Sequence, residues 1–397
     1  MTVGADKLAL SDLPEVDSQS VVHFVSGLDA VLRLNRRLMD FSARCGEPGA
    51  MHDIAYFLSK PGALPRIPHL LLVGAATMDL SSPSLDDLLG FLLIFEQKVG
   101  GLGIGAFATN DRSGRSTLIA MPWHRSHVAA LCTRALLERG AHLILMSFRV
   151  DAVAESAAAG SAASGPEAPA GVPLLAPPVH GRELARWAQR ERTIPGYLPL
   201  ASTFDATLAR IGQRTRSNLR YYRRRAESDL GCRFLAQVEM SREEALAFNR
   251  ECMYAAPADV VGWRYDSLQD LSEPIFLGMK DRHGQWLSVL GGRRYLDRSE
   301  VLWQLNREGY AGHSLGTVMR SYLIENEIAH GSHRLYIEGG TPHPIKFSFV
   351  PERITDLAVV RRSQAASLMR WLAKRYISRE NELLHMLGES GLDWQPC

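Results

Sequence analysis

The stretch from Glu300 to Phe349, EVLWQLNREGYAGHSLGTVMRSYLIENEIAHGSHRLYIEGGTPHPIKFSF, decides how the chain is read. Val301 to Leu305 is apolar and extended, with Trp303 inside it. A polar loop containing glycine follows, from Asn306 to His313. From Ser314 to about His330 the apolar residues Leu315, Val318, Met319, Tyr322, Leu323 and Ile328 recur near a period of 3.6, which predicts a helix. Gly331 is placed to close that helix in a left-handed conformation, and Leu335 to Ile337 predicts a second buried strand.

Strand, glycine-bearing loop, helix and strand, in that order, suit an anion at the helix N-terminus. Amides of the first turn have no partner there, and the helix dipole is positive. Gly312 and Gly316 allow an anion close to the backbone. No Gly-Lys-Ser/Thr follows, so this is not a nucleotide P-loop. An anion cradle and an ordinary strand-to-helix connection both fit at this point.

The loop from Arg307 to Gly316, REGYAGHSLG, resembles the acyl-CoA pyrophosphate loop of the GNAT acyltransferases. Within that superfamily the chain resembles the CelD-like and Fem-like branch. Ser314-Leu-Gly316-Thr317 is similar to a helix opening common there, with Leu315 in place of proline. Glu338-Gly-Gly340 followed by Lys346-Phe-Ser-Phe349 is similar to the branch's closing motif. An arginine-rich helix lies about a hundred residues upstream. The resemblance covers roughly Thr203 to Tyr376.

Outward from this stretch, the segment Leu118 to Arg149 repeats its plan of strand, polar loop, helix, glycine, histidine and strand. Gly140 and His142 precede Gly331 and His333 by the same 191 residues. Two copies of one α/β half-fold are therefore expected. The expected fold class is α/β, with tandem GNAT-like domains, each a mixed central sheet flanked by helices. The first, residues 1–150, is expected to be degenerate, because its loop Pro122 to His127 has no glycine. Residues 151–180 are rich in Ala, Ser, Gly and Pro and predict a linker. Residues 181–397 form the expected acyltransferase domain.

Among other elements, a helix is expected over Ser26 to Arg44, a strand over His69 to Ala76 and a helix over Ser84 to Lys98. Further expectations are a strand over Ile104 to Thr109, a turn over Asn110 to Arg115 and a helix over Gly181 to Arg192. The segment Thr203 to Asp229 predicts a helix with Arg216, Arg220 and Arg223 on one face. That face suits salt bridges to its own acids, the rim of a phosphate or acidic-acceptor site, or a tRNA backbone. Ser241-x-x-Glu244 predicts a capped helix, and Gln364 to Glu382 a closing one.

Bulk properties narrow the classes. A net charge of +2 gives no global field that demands nucleic acid, although only six of the 45 basic residues are Lys. Five scattered cysteines without CxxC or CxxH spacing predict free thiols and no metal site. The N-terminus is polar, and no run of about 18 apolar residues occurs, so a cytoplasmic protein without a membrane span is expected.

The resemblance implies an N-acyltransferase that moves an acyl group from an acyl-CoA co-substrate to an amine of a small molecule or amino acid. Two alternatives stand beside it. One is an aminoacyl-tRNA-dependent, Fem-like peptide-bond former, which would take tRNA as partner. The other is a non-catalytic GNAT-like binding protein. Tyr310, Ala311, Gly312, His313, Ser314, Leu315, Gly316 and Thr317 are the candidate cradle. Glu338 and His313 are the candidate bases, and an amide on Val301 to Leu305 is the candidate oxyanion donor. Arg216, Arg220, Trp263, Arg264, Trp303 and Lys346 are candidates for the substrate. Where relatives carry Tyr before the closing Lys, this chain has Ile345, so an acid for the leaving thiolate is not expected there.

Overall fold

The structure is a computed structural model. It describes residues 20–45, 66–80, 83–99, 102–109, 118–121, 124–149, 185–271, 273–337, 343–361, 371 and 395–396. The predicted linker, the Asn110 to Arg115 turn, Glu338 and, apart from Trp371, the closing helix lie outside the described residues.

The first half begins with β1 (Ser20–Ser26), α1 (Leu28–Arg33), α2 (Asn35–Arg44) and β2 (Arg66–Ala75). It continues with β3 (Leu88–Val99), β4 (Leu102–Ala108), β5 (Leu118–Ala120), α3 (Arg125–Glu138) and β6 (Leu143–Arg149). The long strand β7 (Ala185–Pro199) leads into α4 (Phe204–Ala209), α5 (Gln213–Leu230) and β8 (Arg233–Leu235). Then come α6 (Arg242–Arg250), α7 (Ala258–Asp266), β9 (Pro274–Lys280), β10 (Trp286–Tyr295) and β11 (Arg298–Asn306). Last are α8 (Leu315–Ala329), β12 (Arg334–Ile337), β13 (Val350–Arg361) and the short β14 (Gln395–Pro396).

The strands pair in the order β1-β2-β3-β4-β6-β13-β7-β12-β11-β10-β9-β8, with β5 against β3 and β14 against β7. Two pairings are parallel, β4 with β6 and β11 with β12, and all others are antiparallel. Each parallel pair is bridged by a helix, α3 in the first half and α8 in the second. A parallel pair cannot close by a tight turn, so the crossover helix is required.

The repeat seen in the sequence is carried into hydrogen bonds. Gly140 and Gly331 both have positive φ, at 90° and 80°. The amides after them bond back alike, Ala141 to Leu136 and Ser332 to Glu327. The carbonyls of His142 and His333 accept the amides of Arg361 and Leu200 at the ends of β13 and β7. Two α/β halves of one plan are thus present, each half a mixed sheet between helical layers. In the first half, α1 and α2 cover one apolar core and α3 the other. In the second, α5 and α8 cover one face of the sheet while α6 and α7 cover the opposite face.

Three local expectations are corrected. Ser84 to Lys98 is not a helix, because Leu88 to Val99 forms β3. Phe91, Leu93 and Phe95 enter the core under α1 and α2, while Leu92 and Ile94 enter the core under α3. A strand buried on both faces is continuously apolar and hides its period of two. Ser84 does accept an amide, that of Asp86, but in a turn. Gly181 to Arg192 is not a helix either, since Ala185 onward forms β7 and pairs with β13 along Ala185 to Tyr197. The expected helix Ser26 to Arg44 begins at Leu28 and breaks at Leu34, and β1 precedes it.

The centre of the sheet is stitched by Asp356, which is fully buried on β13. Ser147 Oγ on β6 donates to it at 2.5 Å, and Arg190 and Arg192 on β7 donate at 2.9 and 2.7 Å.

Candidate functional site

The site begins with a break in strand register. Gly291 on β10 opposes Trp303, but Gly292 opposes Val301, so Leu302 is an extra residue on β11. Such a bulge leaves one residue out of the ladder and turns the strand. Both glycines are required there. A Cβ at Gly292 would lie 2.1 Å from the Glu300 carbonyl oxygen, and one at Gly291 would lie 2.2 Å from the Trp303 ring. Before the bulge, Val301 packs into the core beneath α5 and α8. After it, Trp303 and Leu305 fill the opposite core, beneath α6 and α7.

Past the bulge the parallel strands part. β12 pairs with β11 only from Arg298 to Val301, while β11 runs on to Asn306. The mouth of this opening faces the start of α8. Ligand sites of open α/β sheets lie outside the carboxyl ends of the strands.

The candidate cradle closes the mouth. Ala311 to His313 forms one 3-10 turn, and Ser314 adopts φ 47°, a left-handed conformation uncommon for a residue with a side chain. The turn rests on the end of α5. His313 Nε2 is 3.2 Å from Asp229 Oδ2, and Arg225 Nε donates to the same oxygen at 3.3 Å. Arg225, and after it His313, hold the Asp229 carboxyl below the usual carboxylate range. Leu315 and Gly316 open α8, where no earlier helical carbonyl can take their amides.

Inside the mouth, hydrogen donors converge on Gly316. A Cβ there would lie 3.5 Å from Asn306 Nδ2, 3.8 Å from Gln304 Nε2 and 3.9 Å from Arg320 Nη1. Asn306 points its amide nitrogen inward because its oxygen accepts from Gln304 and Ser288, both at 2.9 Å. Arg320 is half-buried, and its Nε has no partner. Among the described residues no carboxylate meets its guanidinium, and burial lowers its pKa to about 10. Lys346 stands nearby, its pKa lowered by burial and by Arg320. His343 is driven down to about 4 by burial, then by the charges of Arg320 and Lys346. Arg320 and Lys346 together make this a positive patch suited to an anion.

The lowered His343 pKa couples stability to pH. The unfolded chain binds a proton at His343 near 6.5, the folded chain only near 4. The unfolded state therefore holds more protons between those values. Stability contributed by the neutral ring is complete above pH 6.5 and is lost as pH falls towards 4. Denaturant titrations across this window should show a loss of about 1–2 kcal/mol, allowing for partial exposure. The His343→Asn variant should lack that component.

The other candidates fall in separate places. Trp303 is core, 6% exposed. Trp263 packs against the same core from α7, which also carries Arg264, on the face of the sheet away from α8. Arg220 pairs with Asp205 at 2.7 Å. Arg223 pairs with Glu227 and Glu325 and lies 4.2 Å over the Tyr322 ring. Arg216 is half-buried and forms no side-chain hydrogen bond or ion pair among the described residues. Among those residues no group of three or more His, Cys, Asp or Glu could hold a metal. No helix among them is long and apolar enough to cross a membrane.

Sequence reasoning missed Gln304, Asn306, Arg320 and His343. The signals were present in part. Gly291-Gly292 within a strand points to a bulge, and Gln304-x-Asn306 sets two amides on one side of a strand. Arg320 lies four residues after Gly316, on the same face of the helix.

No family model and no curated protein matches this sequence. Among solved structures, the chain is similar to FemX at 10% identity and a TM-score of 0.47, over 81% of this chain and 95% of that one. It is similar to L-PGS from Bacillus licheniformis at 14% identity and 0.43, over 84% and 98%. It is also similar to a tandem GNAT protein from the clavulanic acid biosynthesis pathway at 12% and 0.41, over 86% and 99%.

Proposed function

We propose that the chain transfers an acyl group from acyl-CoA to an amine, with the phosphates of the donor at the start of α8. The observation that carries this reading is the convergence of Arg320, Asn306, Gln304 and the first-turn amides on Gly316, where the two parallel strands part. Phosphate oxygens at that point meet charge and donors together. The thioester then lies along β11, and an amide released at the Leu302 bulge donates to the oxygen that becomes negative during attack. The amine nitrogen bonds to the acyl carbon, the carbon–sulfur bond breaks, the amine gives up a proton and the thiolate takes one. His313, held by Asp229, and Glu338 remain the candidate bases.

Incubation with acetyl-CoA and a panel of primary amines should release free thiol in proportion to enzyme. A second reading has its own observation: Arg214 and Arg216 on α5 carry no carboxylate partner among the described residues. Transfer only from charged tRNA, with no thiol release from acetyl-CoA, would make the peptide-bond former the better reading.

Gly316→Val separates site from fold. The Cβ itself makes only ordinary contacts, so stability should change by less than about 1 kcal/mol. Its methyl groups fill the point where the donors converge, and CoA affinity should fall by at least roughly tenfold, the size of one lost charge-assisted hydrogen bond. Calorimetric titration beside a denaturation curve reads both.

A further inference from the structure

His343 does more than border the pocket. Its Nδ1 accepts the Ile345 amide at 3.1 Å, so in the neutral ring the proton sits on Nε2. Nε2 is 3.1 Å from Thr317 Oγ1 and donates to it. Thr317 is buried, and its hydroxyl proton needs an acceptor. Among the described residues that acceptor is Ser314 Oγ, at 2.8 Å. Ser314 is half-buried at the mouth with a left-handed backbone, and when its oxygen accepts from Thr317 its own proton is free for a ligand. The chain Ile345, His343, Thr317, Ser314 thus has one direction, from the backbone towards the ligand.

We infer that His343 is a positioning residue that fixes Thr317 and Ser314 as donors, so that the α8 pocket takes oxyanions with no hydrogen to give. This rests on the reading of the pocket as a phosphate site. Among the described residues the side-chain atoms nearest the point of convergence are donors, the Asn306 and Gln304 amide nitrogens and the Arg320 guanidinium, with Gln304 also orienting Asn306, and the Ser314 hydroxyl stands at the same helix start. Doubly esterified phosphates, as in a CoA pyrophosphate, carry no proton at neutral pH and match such a surface.

The test is calorimetric titration with CoA and, separately, with inorganic pyrophosphate. Thr317→Val cuts the chain in the middle, and His343→Asn cuts it earlier while an Asn oxygen still accepts the Ile345 amide. Each should weaken binding roughly tenfold, the size of one charge-assisted hydrogen bond. The double variant should be no worse than about twofold beyond either single one, because both break the same chain. Thr317→Ser should bind within about twofold of the native protein. Additive losses, or native affinity in Thr317→Val, would overturn the inference while leaving the acyl-CoA reading in place. Binding of pyrophosphate but not CoA would reject acyl-CoA as donor, and the same variants then decide the inference on pyrophosphate. If neither ligand binds, both fall. At pH 8, sulfate should displace the bound ligand at lower concentration than hydrogen phosphate, and the reverse order would contradict a donor-only surface.

Discussion

Replacing Arg320 by Met should raise the melting temperature and remove phosphate binding in the same molecule. The two effects have one cause. A half-buried guanidinium that meets no carboxylate among the described residues, beside Lys346, costs folding free energy. Methionine of similar reach keeps the packing of α8 and removes the charge. A gain of about 1–3 kcal/mol is expected from relief of that burial and repulsion. The charge that destabilises the empty site is also the one that faces the ligand, so CoA affinity should fall by roughly 100-fold or more, about 3 kcal/mol. A structural arginine would give the opposite stability result, with a lower melting temperature in Arg320→Met.

The largest loss of stability is expected at Asp356. Asp356→Ala takes the carboxylate away from Arg190 and Arg192 and from the Ser147 hydroxyl in the middle of the sheet. Two guanidiniums lose their common acid on a strand, β7, that joins the halves through β13 and β12. The cost should be about 3–5 kcal/mol, the range for breaking a buried charge pair from one side. Asp356→Asn keeps an acceptor for Ser147 and should lose less. Urea denaturation of the two variants gives the comparison, and a loss below about 1 kcal/mol for Asp356→Ala would show that the pairing is not needed.

The parts of the fold that were legible are those whose information is local. Strand β11, its loop, α8 and β12 each carry their own period and their own punctuation, and Gly331 and Gly140 mark the same cap in both halves. Strand β3 was not legible because it is buried between two helical layers and shows no alternation. Strand β7 was misread because its pairing partner, β13, lies far along the chain. Its signal was Arg190-x-Arg192, two like charges a strand period apart, which meet one acid from that distant strand.

The candidate site divides in the same way. The loop from Tyr310 to Thr317 and Lys346 come from contiguous motifs, and the structure brings them together at the start of α8. Gln304 and Asn306 reach the mouth only because the bulge at Leu302 resets which side chains face α8. Arg320 shows in the sequence as the one cation of α8, but that no acid among the described residues meets it is a property of packing, not of spacing. His343 acts through Thr317, 26 residues earlier, which no local pattern records.

The most direct measurement is the melting temperature of the native protein and of Gly316→Val, each with and without CoA. At about 100 times its dissociation constant, a ligand of the folded state adds roughly 2.7 kcal/mol. An upward shift in the native protein that is absent in Gly316→Val, at equal melting temperatures without ligand, is the expected result. An equal shift in both proteins would place CoA elsewhere, and no shift in the native protein would contradict a site for the CoA phosphates at the start of α8.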